Sequence, residues 1–336
     1  MVALGIVLVS QYLYAVYIPF INEDYIFLDR SRTASFGSLW GLQHLMFNWY
    51  RPWSREFHYW LVSHLFGPRE LPFHLASWAL WMASILAYFA YVRRLAGTAT
   101  AGVAVAGLVA MAAWGVPLLW IAGVQDLWML LFAMLALNAF ARDRVGWTVA
   151  LTALAFLSKE TAVFLPPLLV LHGALIERRS WRDALIRTWA VWVVAIAWAL
   201  VHPALGGRFW HHVTRTPIEA AHGPWWSAPA RTALTLINLD FPPHPSYGWK
   251  VALLRASPAV IALVLLAAWA VRSREEAEPR PRGRVAVFGI GWALLGWAPL
   301  MMPSLRWHAY YSIAGALGAW LALALGLPDA ACSRRS

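Results

Sequence analysis

Apolar runs of about the length that crosses a bilayer recur along the whole chain, and they decide its class. A helix needs about 20 apolar residues to span the hydrocarbon. Runs of that kind lie near 2–20, 72–92, 98–116, 124–141, 146–158, 161–176, 188–205, 250–271, 285–303 and 308–327. The fifth and sixth are short and are separated only by Ser158-Lys159-Glu160, so they also read as one broken hairpin. Composition agrees with this reading. Of the 336 residues, 61% are hydrophobic and 13% charged, about half the charge usual in soluble domains, and mean hydropathy is +0.56. A water-soluble core cannot hide that much apolar surface, so an ordinary soluble enzyme, a disordered chain and a coiled coil are excluded. The expected fold class is all-α: a polytopic membrane protein of about ten transmembrane helices. The first run lacks a basic n-region and a small-residue cleavage site, so it reads as a retained helix. The single cysteine, Cys332, excludes internal disulfides and a cysteine-based metal site. The 23 tryptophans read as aromatic belts at two interfaces.

The formal charge of +11 would suggest a nucleic-acid partner on a soluble protein. Mapped onto the loops, it is topological. With the N-terminus in the cytoplasm, the inner connections are 93–97, 141–146, 177–187 and 272–284, followed by the tail; counted over 331–336 for that tail, they carry 15 Arg in 41 residues. The outer loops 21–71 and 206–249 carry 8 basic residues in 95. Cytoplasmic loops collect Lys and Arg. The reading is therefore an integral protein of a bacterial plasma membrane, both termini cytoplasmic, with membrane lipid as a partner and no nucleic acid. One transmembrane domain covers 1–327, with outer loops at 21–71 and 206–249, a solvated linker at 272–284 and a tail at 328–336. The active face is the outer one, where ten of the eleven histidines also fall, His172 being the exception.

The first outer loop holds the most chemistry. Asn22-Glu23-Asp24-Tyr25 places two adjacent carboxylates at a membrane helix end, where charge is costly. They read either as a general base with an orienting partner or as a solvated stop to the span. Two interfacial helices are expected after them. In 35–48, Leu39, Leu42, Leu45 and Met46 oppose Ser38, Gly41, His44 and Asn48; in 53–66, Trp53, Phe57, Trp60, Leu61 and Leu65 oppose Arg55, Glu56, Tyr59 and Ser63. Between them, Pro52 holds Arg51 extended in Tyr50-Arg51-Pro52, as a phosphate or carboxylate contact or as a snorkelling cation. Lys159, beside Glu160, is one of only two lysines, with Lys250. Lysine offers a compact charge to a phosphate where arginine offers a planar fork. Arg306, His308 and Tyr310 gather at the mouth between the last two runs, where a polar head group or an aromatic belt fits equally. Neither Lys159 nor Arg306 has an evident interior partner beyond Glu160.

Three segments together resemble the GT-C superfamily of polytopic glycosyltransferases: Asn22-Glu23-Asp24-Tyr25 after the first span, Tyr50-Arg51-Pro52 before the Phe66-Gly67 turn, and Ser158-Lys159-Glu160-Thr161 before Pro166-Pro167. His308-Ala309-Tyr310-Tyr311 is similar to the final outer motif of protein O-mannosyltransferase-like and tetratricopeptide-linked transmembrane members and their bacterial relatives. The resemblance implies an inverting transfer of a sugar from a polyprenyl-phosphate or diphosphate carrier to an acceptor hydroxyl, on a protein, glycan or lipid, at the outer face. It implies Asp24 or Glu23 as general base. The family often shows two aspartates, so Glu23 is a departure and the choice between the two stays open. A leaving phosphate needs fixed cations; Arg51, Lys159, Arg306, Lys250, Arg255 and His308 are the candidates, with Tyr50, Glu160 and Tyr310 as substrate contacts. No cofactor and no metal site is expected; a divalent ion on Glu23 and Asp24 is the less favoured alternative.

A transporter or flippase of a lipid-linked saccharide and a non-catalytic assembly partner are the competing readings. A transporter places ionisable groups at mid-span, whereas here acids gather at one mouth. The arginine distribution makes a prediction. Reporters fused after Arg94, Arg144 or Arg179 will report cytoplasm, and reporters inserted near Gly37 or Gly223 will report the outside. A cytoplasmic 21–71 loop would remove the catalytic reading with it.

Overall fold

The computed structural model describes residues 13–42, 49–202, 227–240, 282–301 and 308–326. These are helical throughout, with no strand among the described residues. The short helix α1, Glu23–Thr33, carries Glu23 and Asp24 in its first turn and Arg30 and Arg32 in its last, the order that suits the helix dipole. A π-helical turn at Pro52–Phe57 leads into α2, His58–Phe66, which Gly67 ends at φ 73°. Then come α3 (Glu70–Val109), α4 (Gly115–Leu119), α5 (Val124–Phe140), α6 (Val145–Phe156), α7 (Leu165–Leu175), α8 (Trp181–Arg187), α9 (Trp189–Val201), α10 (Ser227–Thr235), α11 (Arg282–Trp297) and α12 (Ile313–Gly326).

Helix α3 is two helices run together. Gly97, at φ 88° and ψ 170°, breaks it within the expected connection 93–97. Four helices are long and apolar enough to cross a membrane: Glu70–Val109, Ile121–Phe140, Arg282–Leu300 and Ala309–Gly326. Helices α8 and α9, bent by 63°, add a fifth if taken as one span. The count of about ten is not reached by the described helices, for two reasons. The run 250–271 and most of 2–20 lie outside them. Helices α6 and α7, of 12 and 11 residues, rise only about 18 Å against about 30 Å of hydrocarbon.

The first outer loop also differs from expectation. The acidic tetrapeptide opens a helix of its own, and the polar side of 53–66 faces inward. Arg55, Glu56 and Tyr59 are buried while Leu65 and Phe66 are exposed. Pairing inside the protein outweighs hydration for those polar groups, and the apolar edge is left for lipid. Of the expected first interfacial helix, Phe36–Trp40 is a 3-10 turn, and 43–48 lie outside the described residues.

The tryptophans are not all belt residues. Trp81, Trp114, Trp292 and Trp320 are fully buried. Trp320 seats its ring over Gly107 and donates its indole N–H to Met111 Sδ at 3.3 Å. Helix α12 packs on α3 through Tyr88, whose hydroxyl donates to the Leu317 carbonyl at 2.7 Å. Helices α11 and α12 meet along a seam of small residues, Gly289, Ala293 and Gly296 against Gly315 and Gly318. A Cβ on Gly296 would stand 2.5 Å from Gly315 N. Where lipid replaces water as solvent, such close backbone approach is a main source of helix association.

Helices α5, α6 and α7 each join the same two ends of the bundle. One end holds 121–126 and 157–160. The other, about 25 Å away along the 17 residues of α5, holds Phe140–Val145 and Glu177–Arg187.

The seam makes a prediction with a built-in control. Alanine in a helix interior gains about 1 kcal/mol of propensity over glycine. At Gly283, where nothing lies within 4 Å of an added Cβ, Gly283→Ala will hold or raise the melting temperature in detergent. Gly318→Ala drives a Cβ into the Gly289 carbonyl and the Ala293 backbone and will lower it, by the roughly 1–3 kcal/mol of an overpacked site. Equal shifts would refute the seam.

Candidate active site

The site is organised by a short polar insertion, Gln125-Asp126, at the head of an otherwise apolar helix. It follows a turn at Ile121–Gly123. Gly123 allows that turn to lie against Pro117, whose Cα would be 2.6 Å from an added Cβ. Around this segment α1, the π-helical turn and two helix ends converge.

Asp24 comes from α1 and has no solvent exposure. Its Oδ1 accepts from the Tyr59 hydroxyl at 2.7 Å and from the Ala122 N–H at 2.9 Å. Its Oδ2 accepts from the Ile21 N–H at 2.9 Å. Burial pushes this carboxyl above the ordinary carboxylate range, against the pull of those three donors and of His74. Burial and the neighbouring Asp24 charge push the Tyr59 phenol well up, so it stays a donor. His74 is fully buried, with Nε2 2.8 Å from the Ile18 carbonyl. Glu23, one residue before Asp24, is only half-buried. The two carboxylates, equivalent in sequence, are inequivalent in space.

Hydrogen bonds continue from there without a gap. The Gln125 amide N–H donates to the Ala122 carbonyl at 3.0 Å, and Gln125 Oε1 accepts from Arg51 Nη1 at 2.7 Å. Arg51 grips Glu160 with Nε at 2.9 Å from each carboxylate oxygen and Nη2 at 2.6 Å from Oε2. His202 Nε2 lies 3.3 Å from Glu160 Oε1. Burial alone would raise the Glu160 carboxyl; Arg51 and His202 outweigh it and hold it down at about 2. Beside this pair, Lys159 Nζ sits 2.7 and 2.6 Å from the two Asp126 oxygens. It also lies over the rings of Tyr310 and Tyr311, 5.1 and 4.8 Å from their centroids. The π-helical turn is pinned to the same helix end: Trp53 N–H donates to the Leu157 carbonyl at 3.2 Å, and the Ser54 hydroxyl to the Ser158 carbonyl at 2.6 Å.

Of the residues singled out in the sequence, Arg51, Lys159, Glu160 and Tyr310 therefore meet in one cluster. Asp24 is joined to it through Ala122 and Gln125. Tyr50 lines its edge, the hydroxyl on the Trp40 carbonyl at 3.0 Å and the N–H 3.4 Å from His202 Nε2. His308 is exposed and packs its ring on Tyr310 and Tyr311 at 5.7 and 5.6 Å. Arg306, Lys250 and Arg255 lie outside the described residues. One expectation is corrected: Lys159 has a strong interior partner, Asp126. Sequence reasoning passed over Asp126, Gln125, His202 and Tyr59. The signal for the first two was present, as the only charged residue and the only glutamine in the run 124–141. His202 and Tyr59 gave none, because chain distance hid their partners.

Two cations and two carboxylates balance here, so the cluster carries no net charge while both pairs are closed. Among the described residues no group of three or more His, Cys, Asp or Glu is placed to hold a metal ion.

This is a helical membrane protein with a buried polar cluster at one end of its bundle. Residues 51–206 match the family described as Dolichyl-phosphate-mannose-protein mannosyltransferase. The matched segment contains Arg51, Gln125, Asp126, Lys159, Glu160 and His202. Asp24 precedes it. Two solved structures are also similar, both of ArnT from Cupriavidus metallidurans. The undecaprenyl phosphate complex is 17% identical, with 97% of this chain and 77% of that chain covered and a TM-score of 0.41. The apo form is 18% identical, with 97% and 78% covered and a TM-score of 0.40. No curated protein matches.

The Arg51–Glu160 pair makes a pH prediction. A carboxyl held below its unfolded value stabilises the fold above about pH 4.5, and that stability is lost as pH falls toward about 2. Glu160→Gln leaves Arg51 without its countercharge, a loss of about 3–5 kcal/mol for a broken buried pair. Its melting temperature in detergent will lie below that of the parent at pH 7, and the gap will narrow as the pH is lowered from 4.5. A gap constant down to pH 3 would overturn the assignment.

Proposed function

We propose that this chain is a glycosyltransferase that moves a sugar from a polyprenyl-phosphate or diphosphate carrier to an acceptor hydroxyl at the outer face of a bacterial plasma membrane. The observation that carries the reading is the unbroken path Asp24–Ala122–Gln125–Arg51, which ties a buried carboxylate to a buried cation pair within a segment of mannosyltransferase type. The two ends suit the two halves of one displacement. The acceptor oxygen attacks the anomeric carbon as the bond from that carbon to the carrier phosphate breaks. The phosphate leaves with the bonding electrons, the hydroxyl proton passes to a carboxylate, and a single in-line step inverts the configuration.

Asp24 is the favoured base. A base works best with its pKa drawn toward the operating pH, and burial moves this carboxyl in that direction. Tyr59 and the Ala122 N–H hold its orientation. Glu23 is the second choice, oriented toward the acceptor. Arg51 and Lys159 take the phosphate oxygens as Glu160 and Asp126 let go. Arg306, His308, Lys250 and Arg255 are further phosphate contacts, and Tyr50 and Tyr310 line the bound carrier. The proposed step assigns no role to a metal, a divalent ion on Glu23 and Asp24 being the less favoured alternative.

Asp24→Asn keeps the shape and removes the basicity. Transfer from a polyprenyl-phosphate sugar by the purified protein will fall at least about 10²-fold, the low end for acid–base catalysis, with the protein still folded; Glu23→Gln will do less. Lys159→Arg and Lys159→Ala will both weaken donor use and leave acceptor binding in place, because a planar fork does not replace a point charge at a shaped site. Full activity in both carboxylate variants would end the base assignment. Donor bound but never cleaved by the parent protein would favour the transporter.

A further inference from the structure

The bundle has a second feature that the proposed transfer does not use, running from Trp181 on α8 along α7 to Pro167. An apolar groove of 440 Å³ runs between α7, α8, α9 and α11, walled by Val170 and Leu171, Trp181 and Leu185, Trp192 and Leu294. Its lining is almost wholly apolar. The volume falls within the about 300–1,000 Å³ of small-ligand pockets.

Exposed arginines adjoin its α8 wall along the chain. Helix α8 puts Arg182 between the wall residues Trp181 and Leu185, and Arg178 and Arg179 lie just before it; all three are exposed. Local acids do not neutralise this group. Arg179 and Arg187 both pair with Glu177, Arg187 also reaches Asp143 at 2.6 Å, and the Ser180 hydroxyl donates to Asp183 at 2.7 Å. Arg142 and Arg144, on the turn between α5 and α6, are exposed as well. Six arginines in 141–146 and 177–187 face three acids. Helix α8 is also built to lie in an interface. Ser180 caps it by accepting from the Asp183 N–H at 3.1 Å, and Ala184 sits on Gly173 of α7. Leu185, Ile186 and Trp189, which opens the next helix, are exposed on its flank.

An apolar channel with uncompensated cations at its rim fits one kind of molecule. We propose that this groove binds an anionic phospholipid of the surrounding leaflet, one acyl chain along the faces of Leu171 and Leu294 that α7 and α11 present to α8 and α9, and the phosphate on Arg178 and Arg182. Basic pockets between membrane helices hold acidic head groups in this way. The lipid bridges α8 to α11, elements that the described residues otherwise join mainly through α7. This site is separate from the one proposed for transfer, and it stands whichever face of the membrane it occupies.

The full chain, purified in detergent, is mixed with phosphatidylglycerol or phosphatidylcholine of matched chains, and bound lipid is counted by native mass spectrometry. Phosphatidylglycerol is expected to be retained in preference. Each arginine at an acidic surface is worth about a 5-fold change, so Arg178→Ala with Arg182→Ala will cut retention about 25-fold. Both lie on the surface and leave folding intact. Leu294→Trp, which fills the groove, will lower retention while the arginines remain. Equal retention of the two lipids, or retention unmoved by the arginine pair, would overturn the proposal. So would preferential retention of a polyprenyl phosphate, which would make the groove part of the donor site. Sugar transfer is not the readout, so an inactive protein leaves the test intact.

Discussion

One buried and one half-buried ion pair hold the candidate-site end of the bundle together. Arg51 stands at the head of the π-helical turn and Glu160 at a helix end more than a hundred residues later; Lys159 and Asp126 join two helix ends in the same way. In a low-dielectric setting an unpaired charge is prohibitively costly, whereas a closed pair is tolerable. The segment that carries Arg51 is therefore anchored by Arg51 on Glu160. The π-helical turn, the Trp53 and Ser54 bonds to residues 157–158, and the inward-facing polar side of α2 are consequences of that docking.

Under the proposed function, the same pairs would also set how an anionic donor is handled. A site of bare cations would bind any phosphate at the membrane surface. Here each cation already has a carboxylate, so an incoming phosphate gains only the difference between two partners. Weak binders are excluded, and the ligand that succeeds adds favourable contacts elsewhere, through its lipid tail or its sugar. Glu160 and Asp126 are then competitors of the donor rather than its ligands, although they sit at the centre of the site.

The sequence made the helical membrane class legible, because span-length apolar runs are statements about the lipid solvent and need no tertiary knowledge. Arg51, Lys159, Glu160 and Asp24 stood out because charge is rare in this chain. Their pairing did not. Nothing local announces that Glu160 serves Arg51 rather than the adjacent Lys159, or that Lys159 reaches Asp126. The span count was the least legible quantity, since short apolar segments such as α6 and α7 look the same whether they cross lipid or pack inside protein. The interior tryptophans were misread for a related reason: hydropathy does not distinguish a belt from a core.

The π-helical turn at Pro52–Phe57 sets rotational phase. An α-helix advances 100° per residue, and a π turn takes in an extra residue without advancing the helix axis to match. Arg51 faces Glu160 and Tyr59 faces Asp24 with this extra residue present between them. If the turn relaxed to regular helix, Tyr59 would swing by about 100° and Asp24 would lose its hydroxyl donor with no side chain replaced. The loop thus behaves as a key cut to one length, and insertions or deletions of single residues between 51 and 59 are a more severe class of change than most substitutions there.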